Sequence, residues 1–179
     1  MKKFRWNGVF FVVAFGVALL ALSSRRPGPV RLGAGGNASL NELRLERISG
    51  GTWSLGQERG NAVLLNFWAT WCPPCRKETP DLVKLHQRYR GQGFTVVGVS
   101  LDENARQAVP PFVERYAVPY PMLLAGESGL AASVEGLPTS LLIGRDGRVV
   151  ETYVGAVTEE MLRADIEKVL AARPEAGGD

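Results

Sequence analysis

The chain has 179 residues, with 21 Lys and Arg against 18 Asp and Glu, one histidine and two cysteines. That length suits one domain with an accessory segment. Two cysteines exclude a disulfide scaffold and an all-cysteine zinc site, and a single His86 excludes a three-histidine metal centre. The surplus of positive charge is local. Lys2, Lys3, Arg5, Arg25, Arg26 and Arg31 precede residue 39, where no acid occurs, and residues 39–179 are mildly acidic. A basic nucleic-acid face on the body is therefore not supported, and no nucleic-acid partner is expected.

Gly8–Leu22 is an uncharged, almost wholly apolar run behind Lys2, Lys3 and Arg5. It reads as a signal-anchor or transmembrane helix over residues 1–22, in contact with a lipid bilayer. Fifteen helical residues reach about 22 Å, and Phe4, Trp6, Ser23 and Ser24 bring the run near a full span. Ala21 and Ser23 also offer a small-x-small cleavage pattern, so a cleaved signal is the alternative. Basic residues flank the run almost equally, so charge alone does not orient it. Residues 23–38 hold four glycines, two prolines and three arginines and read as a flexible tether. The folded domain is expected over 39–173, with a disordered tail at 174–179.

Glu46–Leu55, broken by Gly50-Gly51, suggests a strand or hairpin. Ala62–Ala69 is apolar apart from Asn66 and fits a strand buried on both faces. Pro73–Tyr89 reads as a helix with Leu82 and Leu85 on one face and His86 as a surface or partly packed residue. Phe94–Leu101 is a second buried strand. Asn104–Tyr116 is expected to be helical, disturbed at Pro110-Pro111. A short strand over Pro121–Leu124 and a short helix over Ser128–Val134 follow. Thr139–Ile143 and Arg148–Tyr153 flank Arg145-Asp146-Gly147, a hairpin signal. Thr158 caps a last helix whose apolar face is Met161, Leu162, Ile166, Val169 and Leu170. The order β-α-β-α-β-β-α indicates an α/β sandwich with a central mixed sheet.

Trp71-Cys72-Pro73-Pro74-Cys75 carries the chemistry. It follows a buried strand and opens a helix, which is far more specific than an isolated CxxC. One helical turn separates the sulfurs, so they can close a disulfide. Cys72 at the helix start sits near unpaired N–H groups and the positive end of the helix dipole. Both favour a thiolate, so Cys72 is expected to be the exposed nucleophile and Cys75 the resolving thiol. Pro73 and Pro74 fit the first turn, where amides have no intrahelical acceptor, and they remove two donors from the thiolate's surroundings. A structural disulfide and a two-sulfur metal site are the competing readings; for the latter, His86 is eleven residues beyond Cys75 and poorly placed.

The segment Asn66-Phe67-Trp68-Ala69-Thr70-Trp71-Cys72-Pro73-Pro74-Cys75-Arg76-Lys77-Glu78 resembles the thioredoxin fold. More closely, it resembles the membrane-tethered, extracytoplasmic thiol-disulfide oxidoreductases of cytochrome c maturation, over roughly residues 42–172. The resemblance implies a thioredoxin-like sandwich with an inserted strand-helix segment at Leu101–Val134. It implies that Pro138 is a cis-proline facing the cysteines and that Leu137 offers backbone groups to a substrate strand. Pro80 matches a helix-kinking proline. Glu78 matches a semi-buried acid that tunes the thiols or accepts a proton; a solvated surface Glu is the plain alternative. Asn66 departs from ordinary thioredoxins, which carry a buried Asp there; the maturation-type relatives commonly carry Asn, and the resemblance then leaves proton transfer to Glu78 and water. Trp68 and Trp71 are expected to pack around the site and shape docking.

The implied reaction is reduction of a protein disulfide such as that of apocytochrome c, with electrons from a membrane thiol donor. No cofactor is implied beyond the Cys72–Cys75 disulfide. The implied orientation puts the domain on the extracytoplasmic (periplasmic) side of the cell membrane. Reduction of cysteines for copper-centre assembly, or of general extracytoplasmic disulfides, fits the same residues. A peroxidase is disfavoured because Ala69 stands where that family carries Thr or Ser. A copper carrier expects wider cysteine spacing and a distal histidine, and a binding module would need an inert disulfide.

Overall fold

The computed structural model describes residues 40–126 and 134–172. The N-terminal run, the tether, most of the short helix expected at Ser128–Val134 and the C-terminal tail lie outside these residues. Among the described residues, no helix is long and apolar enough to cross a membrane.

A two-stranded hairpin pairs β1 (Arg44–Glu46) with β2 (Thr52–Ser54), and its turn uses Gly50 and Gly51, both at positive φ. A five-stranded mixed sheet follows, built from β3 (Ala62–Trp68), β4 (Phe94–Ser100), β5 (Met122–Leu124), β6 (Thr139–Ile143) and β7 (Val149–Val154). Its spatial order is β5-β4-β3-β6-β7. The β5-β4-β3 half is parallel, and β6 and β7 run antiparallel to their neighbours. The central place of β3 explains its composition, since all seven of its residues are buried.

Alternation along β3 divides the core. Val63, Leu65 and Phe67 join Trp53, Leu45 and Leu55 of the hairpin region on one side. Ala62, Leu64 and Trp68 join the helices on the other. Asn66 shares the parity of Leu64 and Trp68, so the strand aims its one polar side chain toward the helices. These are α1 (Pro73–Tyr89), α2 (Ala105–Tyr116) and α3 (Glu159–Ala171). Leu82 and Leu85 of α1, Val109 and Phe112 of α2, and Leu162, Ile166 and Val169 of α3 enter the same cluster.

Three expectations are corrected. Helix α2 runs through Pro110 and Pro111, which are both exposed, while Val109 and Phe112 beside them supply the burial. His86 is buried, not superficial: its Nδ1 accepts the Val96 N–H at 3.3 Å and its ring lies 5.7 Å from that of Tyr120. Burial lowers its pKa, with the Arg90 charge adding to the effect. Met161 does not join the inner face of α3; it is 55% exposed, and Val157 just before the helix is buried instead. Thr158 caps α3 as expected, its hydroxyl oxygen accepting the Met161 N–H at 3.3 Å.

Candidate active site

The parallel strand β3 delivers the chain directly into α1, with Ala69–Trp71 between them. Cys72 is the N-cap, and Pro73 and Pro74 fill the first two helical positions. Cys72 and Cys75 are disulfide-bonded, with Cα atoms 5.3 Å apart. Sγ of Cys72 accepts the Cys75 N–H at 3.3 Å, so the sulfur occupies the place of a capping oxygen. The expected exposure of Cys72 is not seen: in the disulfide it is only 3% exposed and Cys75 1%. The sulfur turns inward over the helix start, toward both its partner and that amide.

Trp71 is 64% exposed, with most of its side chain in solvent. Pro73 and Pro74 are exposed beside it. Trp68 behaves oppositely. It is buried, its ring centroid lies 4.5 Å from that of Phe112, and its Nε1 has no hydrogen-bond partner among the described residues. The Leu137–Pro138 peptide is cis. Pro138 is buried, Leu137 half-buried, and the Pro138 carbonyl accepts the Gly155 N–H at 2.8 Å. Phe67 pairs with Thr139, so Pro138 stands at the same end of the sheet as the strand exit leading to Cys72. Pro80 lies inside α1 on its exposed side, and the helix continues through it to Tyr89.

Glu78 is the site's unusual group. It lies one turn beyond Cys75 on α1 and is 2% exposed. Its Oε1 accepts from Asn66 Nδ2 at 2.8 Å, and its Oε2 accepts the Val157 N–H at 2.9 Å. The same Asn66 nitrogen donates to Ser140 Oγ at 3.0 Å. Burial pushes the carboxyl up from 4.5 to about 7, against the opposing pull of the Val157 and Asn66 hydrogen bonds. Burial also pushes the Tyr120 hydroxyl well above its usual range, and the Glu78 charge adds to that. A carboxyl held near neutrality, one turn from a thiol, is suited to exchange a proton with it at physiological pH.

The structure places Asn66 and Glu78 in direct hydrogen-bond contact, a pairing the sequence alone did not specify. Ser140, Val157 and Tyr120 were not singled out from it. Tyr120 carries a readable signal, a hydroxyl in an otherwise apolar stretch, but Val157 contributes only its backbone. Among the described residues, no group of three His, Cys, Asp or Glu is placed to hold a metal ion.

The mixed sheet, the dithiol at the helix start and the cis-proline define a thioredoxin-like thiol-disulfide oxidoreductase. Residues 37–170 match the Redoxin family, and the chain belongs to it. It is similar to the thiol-disulfide oxidoreductase ResA of Halalkalibacterium halodurans, with 35% identity over 136 residues covering 74% of each chain. The Bacillus subtilis protein of the same name is 37% identical over 120 residues, covering 66% of each. Among solved structures, a thioredoxin-family thiol:disulfide interchange protein from Chlorobium tepidum superposes with a TM-score of 0.69 at 26% identity. That likeness covers 78% of this chain and 100% of the other.

Proposed function

We propose that this protein reduces disulfides of apocytochrome c on the extracytoplasmic side of a membrane, before haem is attached. The observation that carries the reading is Glu78, buried behind the dithiol and hydrogen-bonded to Asn66. An uncharged Asn66 supplies a donor but cannot relay a proton, which leaves Glu78 as the acid–base group. The ResA relatives and the resemblance of the Asn66–Glu78 segment support the same direction of chemistry.

In this mechanism the thiolate of Cys72 attacks one sulfur of the partner disulfide. A mixed disulfide forms and the partner's other sulfur leaves as a thiolate, which takes up a proton. Glu78 accepts the proton of Cys75, whose thiolate then attacks Sγ of Cys72. The second partner sulfur is released, and Cys72–Cys75 closes as the disulfide. A membrane thiol donor returns the two electrons by the reverse exchange. Trp71, Pro73 and Pro74 form the exposed docking rim, Leu137 lends backbone groups to the incoming strand, and Pro138 supports it. Trp68 and Pro80 shape the site from within the domain and α1. Residues 1–22 hold the domain at the bilayer, and residues 23–38 give it reach.

The test is trapping in cells with Cys75→Ala, which stalls the mixed disulfide on Cys72. Recovery of c-type cytochromes through Cys72 is expected. Recovery of copper-oxidase subunits or miscellaneous extracytoplasmic proteins, without cytochromes, would replace this substrate with the copper-centre or general one.

A further inference from the structure

The loop that enters α1 is held from outside the site described above. Thr70 stands two residues before Cys72. Its N–H donates to both carboxylate oxygens of Asp102, at 3.0 and 3.2 Å. Its hydroxyl donates to Oδ1 at 2.6 Å. Ser100, the last residue of β4, donates its hydroxyl to Asp102 Oδ2 at 2.8 Å and accepts the Asp102 N–H at 3.1 Å. From the other side, Arg76 of α1 donates Nη1 to the Thr70 carbonyl at 3.0 Å. Both backbone polar groups of Thr70 are therefore engaged. Every contact into Asp102 is a donor, the pattern an acceptor-only carboxylate satisfies best.

This clamp has a mechanical and an electrostatic side. Mechanically, the Cys72 N–H returns to the Ala69 carbonyl at 3.2 Å, so Ala69–Cys72 is one tight turn with Thr70 inside it. Fixing Thr70 fixes where the turn presents Trp71 and Sγ of Cys72. Electrostatically, Asp102 is bonded to a residue only two positions from Cys72, within about one screening length of it. The other charged groups bearing on this turn are Arg76, which grips Thr70, and Glu78, which is buried one turn past Cys75. Replacing Asp102 with Asn removes the charge and also exchanges one acceptor oxygen for an amide donor facing Thr70 or Ser100, so the informative readout of that variant is the redox equilibrium rather than stability.

We propose that Asp102 is a positioning residue for Cys72, holding the nucleophile's turn in place through Thr70 while its negative charge disfavours the Cys72 thiolate. The inference rests on the thiol chemistry and is independent of which protein is the natural substrate. The removal of one nearby negative charge stabilises the thiolate, and with it the reduced form of the pair.

The experiment uses the full chain and two generic probes, the glutathione couple and dithiodipyridine. In Asp102→Asn the equilibrium with glutathione is expected to shift about threefold toward the reduced protein. The rate at which the reduced protein attacks dithiodipyridine is expected to fall about tenfold in Thr70→Ala, because the turn loses its hydroxyl anchor. Thr70→Ser keeps that anchor and is expected to restore the wild-type rate. The proposal is overturned if Asp102→Asn melts earlier yet leaves the glutathione equilibrium within about twofold of wild type. It is equally overturned if Thr70→Ala and Thr70→Ser react alike. Should Asp102→Asn not fold, the Thr70 pair decides alone.

Discussion

Asn66 of β3 donates its side-chain amide to Glu78 of α1, Nδ2 to Oε1 at 2.8 Å, across the layer between sheet and helix. The contact joins the two elements that meet at the dithiol. It satisfies one oxygen of a carboxyl that is 2% exposed, and the Val157 amide satisfies the other. Both bonds favour the charged form, yet burial outweighs them and sets the group near pH 7.

The elevated Glu78 carboxyl makes stability depend on pH with a definite sign. Between about pH 4.5 and about pH 7 the folded chain keeps a proton that the unfolded chain has released. Its contribution is full below the lower value and is lost as pH rises through the upper one. The difference is on the order of 3 kcal/mol. Urea unfolding of the oxidised protein at pH 5 and pH 8 should show this loss in the wild type, and Glu78→Gln should remove it. Identical pH dependence in the two proteins would mean that Glu78 titrates as a solvated acid.

Glu78→Gln should also slow catalysis at a particular step. Without a group to take the Cys75 proton, resolution of the mixed disulfide should slow about 100-fold at neutral pH. The initial attack by Cys72 should change far less. Rapid acid quenching, with the mixed disulfide followed by mass, separates the two steps. Equal slowing of both would move Glu78 from proton transfer to general support of the site.

Trp71 should separate docking from folding. At 64% exposure it contributes little to the core, so Trp71→Ala should alter stability by no more than about 0.5 kcal/mol. On the proposed docking role, Trp71→Ala should lower kcat/KM toward a protein disulfide about tenfold, with a smaller effect on a small disulfide reagent. A matching loss with both substrates would place the effect on the thiols instead.

Gly98, at the middle of β4, is where the core has no spare room. A Cβ there would lie 2.5 Å from Met122 Sδ and 2.9 Å from Trp68 Nε1. Gly98→Ala should therefore cost about 1–3 kcal/mol by overpacking, measured by urea unfolding. An unchanged midpoint would show that Met122 gives way freely.

Much of this architecture is legible in the residues themselves. The apolar run at Ala62–Trp68, the CxxC that closes it and the Arg145-Asp146-Gly147 turn announce β3, α1 and the β6–β7 hairpin. His86 could have been read as inward, because it lies four residues after Leu82 and three before Tyr89, both buried. Met161 misleads in the opposite sense: it is apolar, but one step out of phase with Leu162, Ile166 and Val169. The partners of the Asn66–Glu78 pair are the least legible. Ser140 is 74 residues from Asn66, and Val157 is 79 from Glu78. The register of β6 on β3 brings in Ser140, and the connection from β7 to α3 brings in Val157, and local patterning holds no record of either.

The second proline of the dithiol leaves the Cys72 sulfur with half a cap. A helix N-cap group ordinarily draws on the amides of the second and third helical residues. Here the second is Pro74, which has none, and only the Cys75 N–H reaches the sulfur. Upon reduction the thiolate therefore has one first-turn amide to solvate it where another sequence would offer two. Position 74 thus acts as a dial on electron affinity: any residue there with an amide hydrogen adds a donor, steadies the thiolate and makes the pair a stronger oxidant. With proline at position 74 that donor is absent.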